Sequence, residues 1–196
     1  LEVLRAPLED RELTISRAAG AVTFPSDCLL VAAMNPCPCG YYGDLKRECR
    51  CSPPQIEKYR RKISGPLLDR IDLHVEVPLI SYTDLKAESG GEKSADVRAR
   101  VVEARDRQLF RFRGVDGVFS NSAMPSRLMG VHCKLDDESS QQLGVAMDAL
   151  NFSARAHDRI LKVARTLADL EGAEVIGLGH LLEAIQYRTL DRKLMM

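Results

Sequence analysis

The sequence has no excess of charge of either sign: 28 Lys and Arg stand against 28 Asp and Glu. Any contact with a polyanion must therefore come from a local patch, because bulk electrostatics favour no partner. It also has no apolar run near the roughly 18 residues that a bilayer-spanning helix needs. The charge-then-apolar order of a secretory signal is absent from its start. These absences lead to the expectation of a cytoplasmic protein without a membrane partner. An initiating Met is missing too. Leu1, Leu4 and Leu8 already share one helical face, so the chain is expected to be a fragment that opens inside a helix.

What is present suits one large domain or one domain plus a smaller one: 196 residues, 45% of them hydrophobic, are ample for a buried core. Six cysteines occur, and four of them form C-x-C-x9-C-x-C at Cys37, Cys39, Cys49 and Cys51. Clustered cysteines in a reducing compartment are better read as metal ligands than as disulfides. Four thiolates could hold one tetrahedral Zn2+, a structural arrangement that leaves no open position for substrate. The C-x-C pairs are less diagnostic than C-x-x-C, and reduced cysteines in a mobile loop are the alternative. Cys28 reads as a buried strand residue, and Cys133 has no assigned role.

Along the chain, Glu12 to Ser16 and Ala21 to Phe24 alternate polar and apolar around Ala18-Ala19-Gly20, which predicts a β-hairpin. Cys28 to Met34 is a continuous apolar run of strand length, expected to be a central strand, with Asn35 where it would emerge. Ser52 followed by Pro53-Pro54 marks a helix start, Ser64-Gly65-Pro66 a break, and the alternation of Ile71 to Val77 predicts the clearest strand. Residues 81–93, polar and Gly-rich, read as a linker. A charged helix from Ser94 through Phe112 follows, then loop from Gly114 to Met124. Helices are predicted over about Leu135 to Leu150, Ser153 to Leu170 and Leu178 to Leu190, with breaks at Gly172, Gly177 and Gly179. The expected fold class is thus α/β over residues 1–80, a partial sheet with a hairpin, followed by an all-α domain over residues 94–196.

Three separated stretches carry a resemblance: A-A-M-N-P-C-P-C-G from Ala32, S-G-P-L-L-D-R-I-D-L-H-V-E-V-P from Ser64, and S-A-R-A-H-D-R-I-L-K-V-A-R-T-L-A-D-L from Ser153. In this order they resemble the C-terminal part of the magnesium-chelatase-like AAA+ ATPases of the bacterial, competence-associated ComM/YifB type. The resemblance implies an AAA+ sheet and a helical lid, ATP and Mg2+ in the full-length protein, a hexameric ring of copies of itself, and DNA as partner. It implies that Asn35 is the sensor-1 amide near the γ-phosphate, that Arg70 is the arginine finger reaching a neighbour's ATP, and that Arg155 is the sensor-2 arginine of the lid. The hairpin would be the pre-sensor-1 hairpin that faces the pore. Each residue also has a plainer reading: Asn35 in a turn with Pro36, Arg70 paired with Asp69 or Asp72, Arg155 on a solvated helix face. The departure is the lack of G-x-x-x-x-G-K-[ST] and of an acidic pair for Mg2+, so that the P-loop is expected upstream and the chain alone is expected to be inactive. A chelatase motor inserting metal into a tetrapyrrole, and a non-catalytic zinc module that binds DNA or protein, are the rival functions.

Overall fold

The computed structural model describes residues 1–44, 46–78, 80, 86 and 91–188. They fall into two compact units, one covering Leu1–Ile71 and the other beginning at Asp72. Most of the linker predicted at residues 81–93 lies outside the described residues.

In the first unit, a turn of 3-10 helix (Glu2–Leu4) runs into α1 (Arg5–Asp10), which ends at Arg11 in the left-handed region, φ 57°. That reversal launches β1 (Glu12–Arg17), paired antiparallel with β2 (Gly20–Pro25). The register places Thr14 opposite Thr23, whose hydroxyls share a hydrogen bond of 2.8 Å. The hairpin is the one the alternation predicts, and it stands almost wholly in solvent. α2 (Pro53–Arg60) begins where Ser52 and two prolines place it, and Gln55 Oε1 accepts the Ser52 backbone N–H at 2.9 Å, closing the first turn. α3 (Gly65–Leu68) is capped by Ser64, whose Oγ accepts from the Leu67 N–H at 3.3 Å and from Arg5 Nη2 at 2.7 Å. Ile56, Leu67 and Leu68 are buried beneath these short helices.

Two expected strands are not formed. Among the described residues the only sheet is the two-stranded hairpin. The apolar run at residues 28–34 is irregular and exposed, with Leu29 at 91% and Val31 at 84%. The alternating segment at residues 71–77 is likewise outside any ladder, with Val77 81% exposed. The physical reason is that a strand exists only by pairing: side-chain pattern prepares a segment for a sheet, but its backbone groups need a neighbour. Cys28 is accordingly exposed and not a buried strand residue.

In the second unit every regular element among the described residues is helical: α4 (Ser94–Arg111), a 3-10 turn (Asn121–Ala123), α5 (Ser126–His132), α6 (Asp137–Leu150), α7 (Ala154–Glu171) and α8 (Leu178–Gln186). The long helices lie where their periodicity predicts them, whereas α5 occupies a stretch between the predicted loop and the predicted Leu135 helix to which no element is assigned. Gly179 falls inside α8 and breaks nothing. α6 is capped by Asp136, whose Oδ1 accepts from the Ser139 N–H at 2.7 Å, and this bond holds the Asp136 carboxyl below its ordinary pKa. α7 is the central element. Ala156, Ile160, Ala164 and Ala168 recur every fourth residue and are fully buried, the three alanines letting neighbouring helices approach closely. Met124, Leu143, Ile176, Leu181 and Ala184 complete the core around it. No helix among the described residues is long and apolar enough to cross a membrane.

α7 stops at Gly172, φ 81°, a left-handed cap that suits glycine. A Cβ there would also meet Arg107 Nη2 at 3.1 Å, beside the bond from Arg107 Nη1 to the Asp169 carbonyl at 2.9 Å. Gly172→Ala is therefore expected to cost about 1 kcal/mol, read as a lower midpoint in urea followed by far-UV circular dichroism.

Candidate functional site

The best-defined constellation is the cysteine cluster of the first unit. After Pro36 the chain turns, with the Gly40 N–H donating to the Cys37 carbonyl at 3.0 Å and Gly40 at φ 83° carrying the reversal. Asp44 organises the return, its Oδ1 accepting from the Lys46 and Arg47 backbone N–H groups at 2.7 and 3.2 Å. This brings Cys49 and Cys51 back against Cys37 and Cys39. The four sulfurs lie within 4.8 Å of one another, with Cys37–Cys39 at 3.4 Å, Cys39–Cys49 at 3.6 Å and Cys37–Cys49 at 3.7 Å. All four thiols are free. A tetrahedron of sulfurs around Zn2+ at about 2.3 Å has edges of about 3.8 Å, so the spacing fits one such ion, whereas disulfide bonding would need sulfurs near 2.05 Å.

The surroundings suit thiolates. Backbone N–H groups of Tyr41 and Arg50 point at Cys39 and bring its thiol down to about 6 against the opposing effect of burial. Cys37, fully buried, is lowered despite its burial by backbone N–H groups of Tyr42 and Cys39 together with Cys49. Cys49 moves the other way, to about 12: its bond from the Cys51 backbone favours the thiolate, but burial and the neighbouring sulfurs outweigh it. Cys51 is raised, first by burial and then by its sulfur neighbours. Four sulfurs this close cannot all ionise unless a cation neutralises them.

The three residues predicted to sense nucleotide are distributed between the two units. Asn35 and Arg70 belong to the first, Arg155 to the second. Asn35 is exposed in the extended run leading into the cysteine loop, not at the end of a paired strand. Arg70 is only 12% exposed and turned inward: Nη1 donates to the Pro66 carbonyl at 2.7 Å and Nη2 is paired with Glu9. Its acidic partner Glu9 belongs to α1. Asp72 pairs with Arg159 of α7. Arg155 is exposed, the second residue of α7, whose start is fixed by Ser153 Oγ accepting the Ala156 N–H at 3.2 Å.

Sequence reasoning missed one buried polar network. Asp169, fully buried, accepts from Arg111 Nη1 at 2.7 Å and from Asn121 Nδ2 at 2.8 Å, and lies 3.1 Å from Arg165 Nη2. Asn121 in turn accepts from Arg111 Nη1 at 2.8 Å and donates from Nδ2 to Thr166 Oγ1 at 3.0 Å. The four-residue spacing of Arg165 and Asp169 was available as a signal. The long-range partners Arg111 and Asn121 had none.

With this geometry in place, likeness to known proteins is extensive. The family model for magnesium chelatase, subunit ChlI, matches residues 1–85, and that for the subunit ChlI C-terminal region matches residues 91–188. Competence protein ComM of Haemophilus influenzae is 43% identical over 195 residues, 99% of this chain and 37% of that protein. The uncharacterised protein YifB of Escherichia coli is 40% identical over the same share of each. An uncharacterised protein of Mycobacterium bovis is 35% identical over 188 residues, 96% of this chain and again 37% of its own length. The chain therefore spans little more than a third of the curated relatives it matches.

Proposed function

Because this chain belongs to the magnesium chelatase, subunit ChlI, family, we propose that it is the sensor, arginine-finger and lid portion of an AAA+ motor that couples ATP hydrolysis to remodelling of DNA. The observation that carries the reading is the match along 99% of the chain to a competence protein, running in order through both family regions. In this reading residues 1–80 belong to the ATPase core, 81–93 to a linker and 94–196 to the lid. ATP bound with Mg2+ supplies the free energy of phosphoryl transfer. The chain's own residues hold and orient: the Asn35 amide can both donate and accept, which suits positioning of a water, and the guanidinium forks of Arg70 and Arg155 suit phosphate oxygens. Arg70 can serve a neighbouring copy in a hexameric ring only by leaving Glu9 and the Pro66 carbonyl. The phosphate-cradling G-x-x-x-x-G-K-[ST] pattern does not occur in these 196 residues, so the chain alone is not expected to bind ATP tightly. The four cysteines would hold a structural Zn2+ that pins the long loop between Asn35 and Arg70.

The test is phosphate release. A protein of the relatives' length containing this sequence is expected to hydrolyse ATP faster with DNA present, while the 196-residue chain stays at background. Hydrolysis by the longer protein that ignores DNA but responds to a tetrapyrrole-binding partner would overturn the DNA reading in favour of the metal-insertion motor, the second reading that the family's description supports.

A further inference from the structure

Two contacts fasten α1 to the segment that carries Arg70. Arg5 and Glu9 lie one turn apart on α1 and so share a face. Arg5 Nη2 donates at 2.7 Å to the Oγ of Ser64, the residue just before α3, and Glu9 pairs with Nη2 of Arg70, two residues beyond it. α1 therefore clasps α3 at both ends. Within the clasp the Arg70 side chain folds back over α3, its Nη1 donating to the Pro66 carbonyl at 2.7 Å. Both terminal nitrogens of the guanidinium are engaged and only 12% of its side chain is exposed, while 34% of the Glu9 side chain stays in contact with water.

An arginine that completes a neighbour's site has to present its fork to phosphate oxygens on another molecule. Here the fork is turned into its own subunit, with a carboxylate already against it. We propose that Glu9 is an inhibitory latch on Arg70: it holds the guanidinium retracted in the single chain and yields it when a neighbouring copy brings phosphate charge to compete. The latch rests on the arginine-finger reading above and adds its regulation. The two ends of the clasp have different tasks. The Arg5–Ser64 bond does not depend on Glu9, so α1 stays docked when the charge pair opens. A pair this close to water is weak enough to open, whereas a fully buried one would cost too much to break. Glu9 touches no nucleotide, and what it sets is the fraction of molecules with Arg70 extended.

A merely structural pair and a latch differ in the sign of their effect. In a protein of the relatives' length containing this sequence, Glu9→Gln keeps the shape of the side chain and removes its charge. It is expected to raise kcat for ATP hydrolysis about threefold and to leave KM for ATP unchanged. Arg70→Ala is expected to abolish hydrolysis, and the double variant to stay silent, because the gain passes through Arg70. On the 196-residue chain, without nucleotide, labelling by phenylglyoxal followed by mass spectrometry is expected to reach Arg70 about threefold faster in Glu9→Gln. Arg5, still held by Ser64, should react at the parent's rate. A kcat equal to or below the parent's in Glu9→Gln, unchanged labelling of Arg70, or a joint rise at Arg5 and Arg70 that shows α1 coming away, would overturn the latch. Undiminished hydrolysis in Arg70→Ala would instead defeat the arginine-finger reading, whatever the labelling shows.

Discussion

Removing metal from the purified chain is expected to release one zinc ion per molecule and to open the loop from Cys37 to Cys51. The argument is energetic. Cys37 is fully buried and all four sulfurs lie within 4.8 Å, an arrangement that four thiols have no reason to hold against their mutual repulsion as thiolates. Structural Zn2+ binding is worth about 10–16 kcal/mol in small zinc modules at neutral pH, far more than the few short helices of the first unit can supply by burial. Cys37→Ser, which removes the most buried ligand, should therefore lower the zinc stoichiometry towards zero. It should also render residues 40–51 sensitive to protease, while the melting of the helical unit is unaffected. The pH dependence has a definite sign, because the ligands bind as thiolates: acidification protonates them and ejects the metal, and alkalinity does not. Zinc measured by a chromogenic chelator, beside limited proteolysis, decides the matter. A chain that carries no zinc at neutral pH yet keeps the loop protected would sink the idea.

Asp169→Ala is expected to cost the helical unit about 3–5 kcal/mol and to lower its midpoint by roughly 15–25 °C. Asp169 has no exposed surface and is the counter-charge for both Arg111 and Arg165, which its removal would leave inside the protein without compensation. Burial alone would raise the Asp169 pKa. The bonds from Arg111 and Asn121 more than offset it, so the carboxyl titrates below its ordinary value of 3.8. A group with a depressed folded pKa contributes stability that is fully present above its unfolded value and disappears as pH falls through the folded one. The wild-type unit should accordingly hold a steady midpoint from neutrality to about pH 4 and lose stability below that. In Asp169→Ala the part of the acid slope due to this residue should vanish. Thermal melts by circular dichroism across that range check both statements, and a variant melting within 1–2 °C of the parent at pH 7 would contradict them.

How far the sequence could be read depended on how local each cause is. The hairpin, the Ser52 start of α2 and the spans of α4, α6, α7 and α8 are set by alternation, helical periodicity and capping residues within a few positions. They were legible. The runs at residues 28–34 and 71–77 have as strong a pattern, but whether a strand forms depends on a partner strand, which no local window contains. α5 escaped because Met124 to Cys133 is short and its proline and glycine look like coil, although Pro125 in fact precedes the first turn and Gly130 lies inside the helix. At the candidate site the cysteine spacing pointed directly to the cluster that the structure assembles. The partner Glu9 of Arg70 did not follow from sequence: Asp69 and Asp72 lie within two residues of the arginine, whereas Glu9 is 61 residues away.

The bare run at residues 28–34 has a consequence for how this molecule behaves in company. Among the described residues it exchanges no backbone hydrogen bond with another segment, and it presents Leu29, Val31 and Met34 to water. A ribbon of that kind is adhesive in both directions, since any extended peptide can register along it and zip. Whatever covers this run removes that liability, and at high concentration the nearest candidate is another molecule of the same kind.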